Sequence, residues 1–260
     1  MKTAKYFVGL IALGLIFALF SSPAQAAKKK PKANKKSAVA AKTVKCKTKK
    51  QKKTPKCKKA KKAQPAASGN LQPQIITAIN ALQVSAPAAA AYDRNNYKHW
   101  SDLDKNGLDA RQDVLRVESL IAVGIVNKKV TAGSWYSYYD GVTTTNPSSF
   151  DIDHLVPLAE ANRSGAYAWS AKAKEAYAND LGDYRTLVAV SASSNRSKSD
   201  KDPAQWMPAL NKCRYIAEWT AVKTRWSLSI DPAEKSALLT QAASCKTWPV
   251  NVVKVNPAAF

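Results

Sequence analysis

A run of lysines near the amino terminus sets the first limit on what this chain can fold into. Residues 27–62 contain 18 lysines and no aspartate or glutamate. Like charges at this density repel one another and leave little apolar surface to bury, so we expect this segment to be disordered. Of the 41 basic residues, 20 lie within the first 62 positions, and the remaining 21 face 18 acidic ones. The basicity therefore belongs to this segment, and its predicted partner is a polyanion, unless it only solubilises the protein.

The first 26 residues have the layout of a secretory signal peptide. Lys2 and Lys5 precede an apolar run over residues 6–20, and Ala24 and Ala26 form a small-residue cleavage pattern. An apolar run of about 15 residues is short for a hydrocarbon layer about 30 Å thick, which favours cleavage after Ala26 over a permanent anchoring helix. We therefore predict that the protein is secreted or associated with the cell envelope. A single anchoring helix is the alternative.

The remaining sequence predicts an α+β domain over residues 72–260, after a linker rich in proline, alanine, serine and glycine. A strand is expected at 151–154 and another at 186–190, and a hairpin with a turn at Asp140-Gly141 precedes them. An amphipathic helix is predicted around Val114, Val117, Leu120 and Ile121. Further helices are predicted over residues 73–84, 166–179, 204–226 and 232–244.

Four cysteines are compatible with disulfides in an exported protein. The last two predicted helices form an antiparallel hairpin in which Cys213 and Cys245 lie 13 residues from Trp226 and Pro232, respectively. At about 1.5 Å per residue both legs are about 20 Å long, so the two cysteines return to the same level. We predict a Cys213–Cys245 disulfide. Cys46 and Cys57 lie in the lysine-rich segment, and their pairing stays open.

Two short polar motifs carry the chemistry. The segment DIDHLVPL at 151–158 combines two carboxylates with a histidine, and SASSNRSKSDKDP at 191–203 follows the second strand. Carboxylate and carboxamide oxygens suit a hard divalent cation, and a neutral imidazole can take a proton from water near pH 7. Neighbouring side chains on a regular strand point to opposite faces, so we expect a distortion such as a bulge to bring Asp153 and His154 into one cleft.

These two motifs resemble those of the HNH, or His-Me finger, endonucleases. More narrowly, the chain is similar to secreted members related to the C-terminal domain of GmrSD restriction endonucleases. The resemblance implies a ββα-metal module within a mostly helical domain and a divalent ion, Mg²⁺ or else Mn²⁺. By the same resemblance Asp153 and Asn195 are the metal ligands and His154 is the general base. Many relatives have asparagine, which orients the histidine, at the position of Thr186, so we expect altered geometry there.

Four further residues are candidates for supporting roles. Asp151 either hydrogen-bonds to the groups that hold the metal or accepts a hydrogen bond from a backbone N–H. Arg196 and Lys198 lie beside Asn195 and are candidate phosphate ligands, as is Arg111, with solvated surface charge as the alternative. The loop 102–113 has half of an EF-hand calcium pattern, but it lacks the final glutamate, and a turn before the next helix explains it as well.

The sequence therefore predicts an exported, metal-dependent endonuclease without sequence specificity, acting on DNA or alternatively on RNA. The resemblance implies products with 5′-phosphate and 3′-hydroxyl ends. Residues 27–62 are predicted to hold the enzyme on nucleic acid or on anionic polymers of the cell envelope. The alternative from another class is a binding protein for nucleic acid or the envelope whose catalytic site is degenerate. A toxin with a nuclease domain is a third interpretation.

Overall fold

The structure is a computed structural model, and it describes residues 74–245 and 248–260. The predicted signal peptide, the lysine-rich segment, Cys46 and Cys57 lie outside the described residues. Within the described part no helix is long and apolar enough to cross a membrane.

Helices make up most of the regular structure. In chain order they are α1 Gln74–Ala81, α2 Ala110–Glu118, α3 Leu158–Arg163, α4 Ala171–Ala178, α5 Ala192–Lys198, α6 Lys212–Arg225 and α7 Pro232–Ala242. Short 3₁₀ turns at Arg94–Asn96, Pro147–Ser149, Ala166–Ala168 and Pro257–Ala259 connect or extend them. The helices predicted near 73–84 and 232–244 are confirmed, the one predicted over 166–179 is divided into a 3₁₀ turn and α4 because Ser170 caps a new helix start, and α3 was not predicted.

The strands form three antiparallel pairs. They are β1 Gly124–Val126, β2 Lys129–Ala132, β3 Trp135–Tyr136, β4 Thr143–Thr144, β5 Phe150–His154 and β6 Leu187–Ser191. β1 pairs with β2, β3 with β4, and β5 with β6. The predicted α+β class is confirmed, as are the hairpin turn at Asp140-Gly141 and both site strands. β5 and β6 pair in unbroken register from Phe150↔Ser191 to His154↔Leu187, so the expected bulge was wrong.

Two predicted helices have different ends, for local reasons. The helix α2 ends at Glu118, because Ser119 turns to extended backbone and its hydroxyl accepts a hydrogen bond from the N–H of Ser134. Leu120 and Ile121, which were predicted to continue this helix, therefore lie outside it and are largely exposed, and Val117 within α2 is exposed as well. The helix predicted from 204 begins only at Lys212, since Pro208 lacks the N–H a helix needs and disfavours helical backbone before it.

Helices α6 and α7 pack as the predicted hairpin. Asp231 accepts a hydrogen bond from the N–H of Glu234 and so caps the start of α7. The start of α6 lies beside the end of α7, where Cys213 and Cys245 form a disulfide with their Cα atoms 5.5 Å apart. The predicted disulfide is confirmed. Trp219 and Trp226 on this hairpin are buried in the larger hydrophobic cluster.

A buried charge cluster ties the hairpin to α3. The ammonium group of Lys223 is wholly buried and lies 2.7 Å from Glu160 Oε1 on α3 and 3.1 Å from Glu234 Oε2 on α7. Burial raises the pKa of Glu234 to about 7. One ammonium therefore bridges two carboxylates and fixes α3, which directly follows β5, against the helical hairpin.

Candidate functional site

An open cavity of about 520 Å³ lies beside the ends of β5 and α5; we refer to it as the main cavity. Its lining includes Asp153 and His154 from β5 together with Asn195 and Arg196 from α5. Tyr92, Arg94 and Asp200 complete its polar wall. The two sequence motifs therefore meet in one cavity, even though β5 and α5 are separated by two helices and a strand.

Tight connections position the residues of α5. Ser191 ends β6, and its hydroxyl accepts a hydrogen bond from the N–H of Ser194, so α5 begins at once. Asn195 and Lys198, three residues apart, lie on the same side of this helix and face β5. The carboxamide nitrogen of Asn195 donates to Asp151 Oδ2 at 3.1 Å, which leaves the oxygen of Asn195 for another partner.

Asp153 is nearly completely buried and accepts two hydrogen bonds. The hydroxyl of Tyr139 donates to its Oδ2 at 2.7 Å, and the ammonium of Lys198 donates to its Oδ1 at 2.8 Å. Lys198 also donates to the backbone oxygen of His154 at 3.1 Å. Burial raises the pKa of Asp153, although the nearby Lys198 opposes this shift, and burial lowers the pKa of Lys198. Each oxygen of Asp153 retains a second lone pair.

The imidazole of His154 is held in one tautomer. Its Nε2 lies 2.9 Å from the backbone oxygen of Ala178, and a carbonyl only accepts, so Nε2 carries the proton. Nδ1 makes no hydrogen bond to the described residues and is the nitrogen able to accept a proton. Burial lowers the pKa of His154 to about 3, so the ring is neutral at pH 7.

Trp100 covers the catalytic histidine candidate from one side. The rings of Trp100 and His154 stack with centroids 5.6 Å apart and an angle of 30° between their planes. The backbone of Trp100 has φ of 63°, a region that bulky residues rarely adopt. The neighbouring Ser101 is fixed because its N–H donates to Asn179 Oδ1 at 2.7 Å. Trp100 also packs against the smaller hydrophobic cluster.

The three candidate phosphate ligands lie in different surroundings. Arg196 lines the main cavity with 76 % of its side chain exposed, 3.6 Å from Asp151. Lys198 has no exposed surface, and its ammonium group forms an ion pair with Asp153. Arg111 donates to the backbone oxygens of Phe150 and Pro147 and does not line the main cavity. The structure therefore brings Arg196 to the cavity surface, but not Arg111 or Lys198.

Arg94 is a cavity residue that the sequence reasoning missed. It is exposed in the 3₁₀ turn that follows Asp93, and its Nη2 lies 3.4 Å from His99 Nε2. Within the described part of the chain it makes no ion pair with a carboxylate. Arg94 lies outside the two motifs at 151–158 and 191–203, so neither of them pointed to it.

Thr186, the residue that departs from the related sequences, does not contact His154 through its hydroxyl. That hydroxyl donates to Asp180 Oδ2 at 3.0 Å. Asp180 also binds the guanidinium of Arg225 at 2.7 Å and the indole N–H of Trp226 at 2.8 Å. Thr186 therefore belongs to a buried network that joins the start of β6 to α6.

The loop 102–113 folds as a turn that leads into α2. Asp102 accepts a hydrogen bond from the N–H of Gly107 at 3.0 Å, and the amide of Asn106 donates to both Asp104 and Asp113. Asp113 also pairs with Arg116 at 2.7 Å. Among residues 74–245 and 248–260, no group of three histidine, cysteine or acidic side chains is arranged to hold a metal ion.

Comparison with known proteins gives the family. Residues 120–241, which include β5, β6 and α5, match the model described as GmrSD restriction endonucleases, C-terminal domain. The chain is also 38 % identical over 156 residues to an uncharacterized secreted protein of Arthroderma benhamiae, covering 59 % of this chain and 76 % of that protein. The chain belongs to the GmrSD C-terminal domain family. The predicted family membership is confirmed. No solved structure matches the chain.

Proposed function

We propose that this member of the GmrSD C-terminal domain family is an exported endonuclease that hydrolyses phosphodiester bonds with the help of a divalent cation. In this proposal β5, β6 and α5 form the ββα module of a His-Me finger. The observation that carries the proposal is that Asp153, His154 and Asn195 line one cavity. Membership of a restriction-endonuclease family supports a nucleic acid as the substrate, with DNA as the first expectation and RNA as the alternative.

The donor atoms suit Mg²⁺, with Mn²⁺ as an alternative. Asp153 offers carboxylate lone pairs and Asn195 a carboxamide oxygen, and Mg²⁺ commonly takes one or two protein oxygens plus water and substrate phosphate. Lys198 partly neutralises Asp153, so we expect the protein alone to bind the ion weakly. Once bound, such an ion neutralises phosphoryl oxygens and stabilises the leaving 3′ oxygen.

His154 is proposed to activate the attacking water. The proton on Nε2 is held by the oxygen of Ala178, and Nδ1 accepts a proton from water. The water oxygen forms a bond to phosphorus, the bond from phosphorus to the 3′ oxygen breaks, and that oxygen takes a proton from solvent. The low pKa keeps the imidazole neutral, so that Nδ1 is available to accept a proton at pH 7.

Two guanidinium groups are proposed to draw the phosphate into the cavity. Arg94 and Arg196 both line it and are exposed. The acidic residues nearby are partly neutralised, since Asp153 pairs with Lys198 and Asp200 with Arg163. The cavity therefore attracts anions, as the binding of a phosphodiester requires.

A binding protein with a degenerate site is the second candidate. Both oxygens of Asp153 already accept hydrogen bonds, and the hydroxyl of Thr186 donates a hydrogen bond to Asp180 instead of orienting His154. Such a protein would hold nucleic acid through the same arginines without cutting it. The two candidates differ in one observable, which is cleavage that depends on His154.

Nicking of a supercoiled plasmid with Mg²⁺ or Mn²⁺ tests the proposal. His154→Ala should lower the cleavage rate by about 10² to 10⁴, the usual contribution of a general base. Lys129→Ala on β2 is the control, because this exposed side chain does not line the main cavity, and its effect should stay small. Equal rates for wild type and His154→Ala, or no cleavage by either, would favour the binding protein.

Export and the lysine-rich segment complete the proposal. The relative in Arthroderma benhamiae is described as secreted, which supports the predicted signal peptide. Residues 27–62 would hold the enzyme on nucleic acid or on anionic polymers of the cell envelope. Deletion of this segment should raise KM for DNA at low salt with little change in kcat, and an unchanged KM would exclude the first role.

A further inference from the structure

A second polar cavity, of about 380 Å³, is lined by side chains that carry three positive charges. We call it the lysine groove, and its polar lining consists of Asn95, Asn96, Lys98, Lys172, Lys174 and Glu175. It lies between the segment that follows Asp93 and the start of α4. None of these residues was assigned a role by the sequence motifs.

The lysine groove and the main cavity share one wall. The 3₁₀ turn Arg94–Asn96 contributes Arg94 to the main cavity, whereas the next two residues line the lysine groove. The turn is fixed at both ends. Asp93 accepts a hydrogen bond from the N–H of Asn95 at 2.9 Å, and the buried Tyr97 donates its hydroxyl to Asn162 at 3.0 Å. A nucleic acid strand that contacts Arg94 in the main cavity would therefore lie next to residues of the lysine groove.

The charges in the lysine groove are not balanced. Lys98 is 73 % exposed and pairs with Glu175 at 2.9 Å, the single carboxylate of the lining. Glu175 also accepts a hydrogen bond from the hydroxyl of Ser101. Lys172 and Lys174 make no ion pair within the described residues, and Lys174 is held by the backbone oxygen of Tyr167 at 3.0 Å. The groove thus keeps a net positive charge against which a row of anions can lie.

We propose that the lysine groove binds the sugar-phosphate backbone of the nucleic acid strand next to the bond that is cut in the main cavity. This inference rests on the proposed function of the main cavity. Exposed ammonium groups and asparagine amides are the side chains that contact phosphate and sugar without reading sequence. Arg94 lies at the boundary and contacts the strand where it passes from one cavity to the other.

Acylation footprinting of lysines tests this proposal without requiring cleavage. The full-length His154→Ala protein is acetylated with and without a single-stranded oligonucleotide of about 12 nucleotides, and each lysine is followed by mass spectrometry. At about ten times the Kd, acetylation of the groove lysines should slow by roughly tenfold. The internal controls are lysines that line neither cavity: Lys129, Lys212 and Lys235. Equal protection of both sets, or no protection of the groove lysines, would overturn the proposal.

Matched variants extend the test to catalysis. The groove variant changes Lys98, Lys172 and Lys174 to glutamine, and the control variant changes Lys129, Lys212 and Lys235 to glutamine. Both lose three charges, so a general effect of net charge is the same in each. The groove variant should show kcat/KM for the oligonucleotide about tenfold below the control variant, as expected for three lost exposed ionic contacts. Equal values would contradict the proposal.

The two experiments separate this proposal from the one on which it rests. Protection of the groove lysines, together with a wild-type protein that does not cleave the plasmid, would support the lysine groove and refute hydrolysis. Cleavage that depends on His154, without protection of these lysines, would support hydrolysis and refute binding in the lysine groove. An anionic envelope polymer that protects the groove lysines more strongly than the oligonucleotide would overturn the assignment to nucleic acid.

Discussion

The buried pair of Lys198 and Asp153 gives the sharpest test of the structure. Lys198→Met keeps the apolar stem but removes the ammonium group that contacts Asp153 Oδ1 at 2.8 Å and the oxygen of His154 at 3.1 Å. Removing one partner of a buried pair costs about 3 to 5 kcal/mol. Asp153 can escape part of this cost by taking a proton, so we expect a loss of about 3 kcal/mol at pH 7.

The loss should depend on pH with a definite sign. Without Lys198, burial holds the pKa of Asp153 above its value in the unfolded chain. An acid whose pKa is raised on folding stabilises the folded state below the unfolded pKa and loses this contribution as pH rises. The difference in stability between wild type and Lys198→Met should therefore shrink as pH falls from 7 towards 4.5.

Urea unfolding followed by the fluorescence of the buried Trp219 and Trp226, without added metal, measures this loss. A loss of about 3 kcal/mol corresponds to roughly 6 to 12 °C in Tm for a domain of this size. The double variant that combines Lys198→Met with Asp153→Asn removes both charges. Its loss of stability should be about 2 kcal/mol smaller than the sum of the losses of the two single variants. Additive losses, or a loss independent of pH, would refute the buried ion pair.

Three further predictions concern other parts of the molecule. Cys213→Ser should lower the free energy of unfolding by about 3 to 4 kcal/mol, because the disulfide to Cys245 closes a separation of 32 residues; urea titration measures it. Burial raises the pKa of Glu118 to about 7, so Glu118→Gln should gain about 3 kcal/mol relative to wild type between pH 4.5 and 8; a flat difference would contradict this. Mn²⁺ should raise the Tm of wild type but not of Asn195→Ala in a thermal-shift assay, and equal shifts would exclude Asn195 as a ligand.

The sequence predicted those features that depend on neighbouring residues or on regular spacing. The strand at 151–154, the capped start of α5 and the Cys213–Cys245 disulfide all follow from local patterns, and the structure has each of them. The convergence of Asp153 and Asn195 was also predictable, because two adjacent strands followed by a helix leave few arrangements. The prediction of a bulge was wrong, because Asp153 and His154 both line the cavity at the end of β5 although this strand pairs in regular register.

The sequence could not predict which charges would be buried. Lys198 and Arg196 differ by two positions in one short motif, yet one is wholly buried against Asp153 and the other is largely exposed. Judged by charge alone, Lys198 and Arg196 are both candidate phosphate ligands. The side of α5 on which each lies decides the outcome, and that side is set by where β5 packs.

The contacts around His154, the proposed base, were not predictable for a related reason. The oxygen that fixes the tautomer of His154 belongs to Ala178, an alanine whose side chain carries no functional signal, and Trp100 reaches the ring from a different loop. A backbone oxygen becomes functional only through its position, so no residue type marks it. The chemistry of this site therefore depends on two kinds of information. Residue types identify the imidazole of His154 as a proton acceptor and the oxygens of Asp153 and Asn195 as candidate metal ligands. Packing decides which nitrogen of His154 is free and which cation neutralises Asp153.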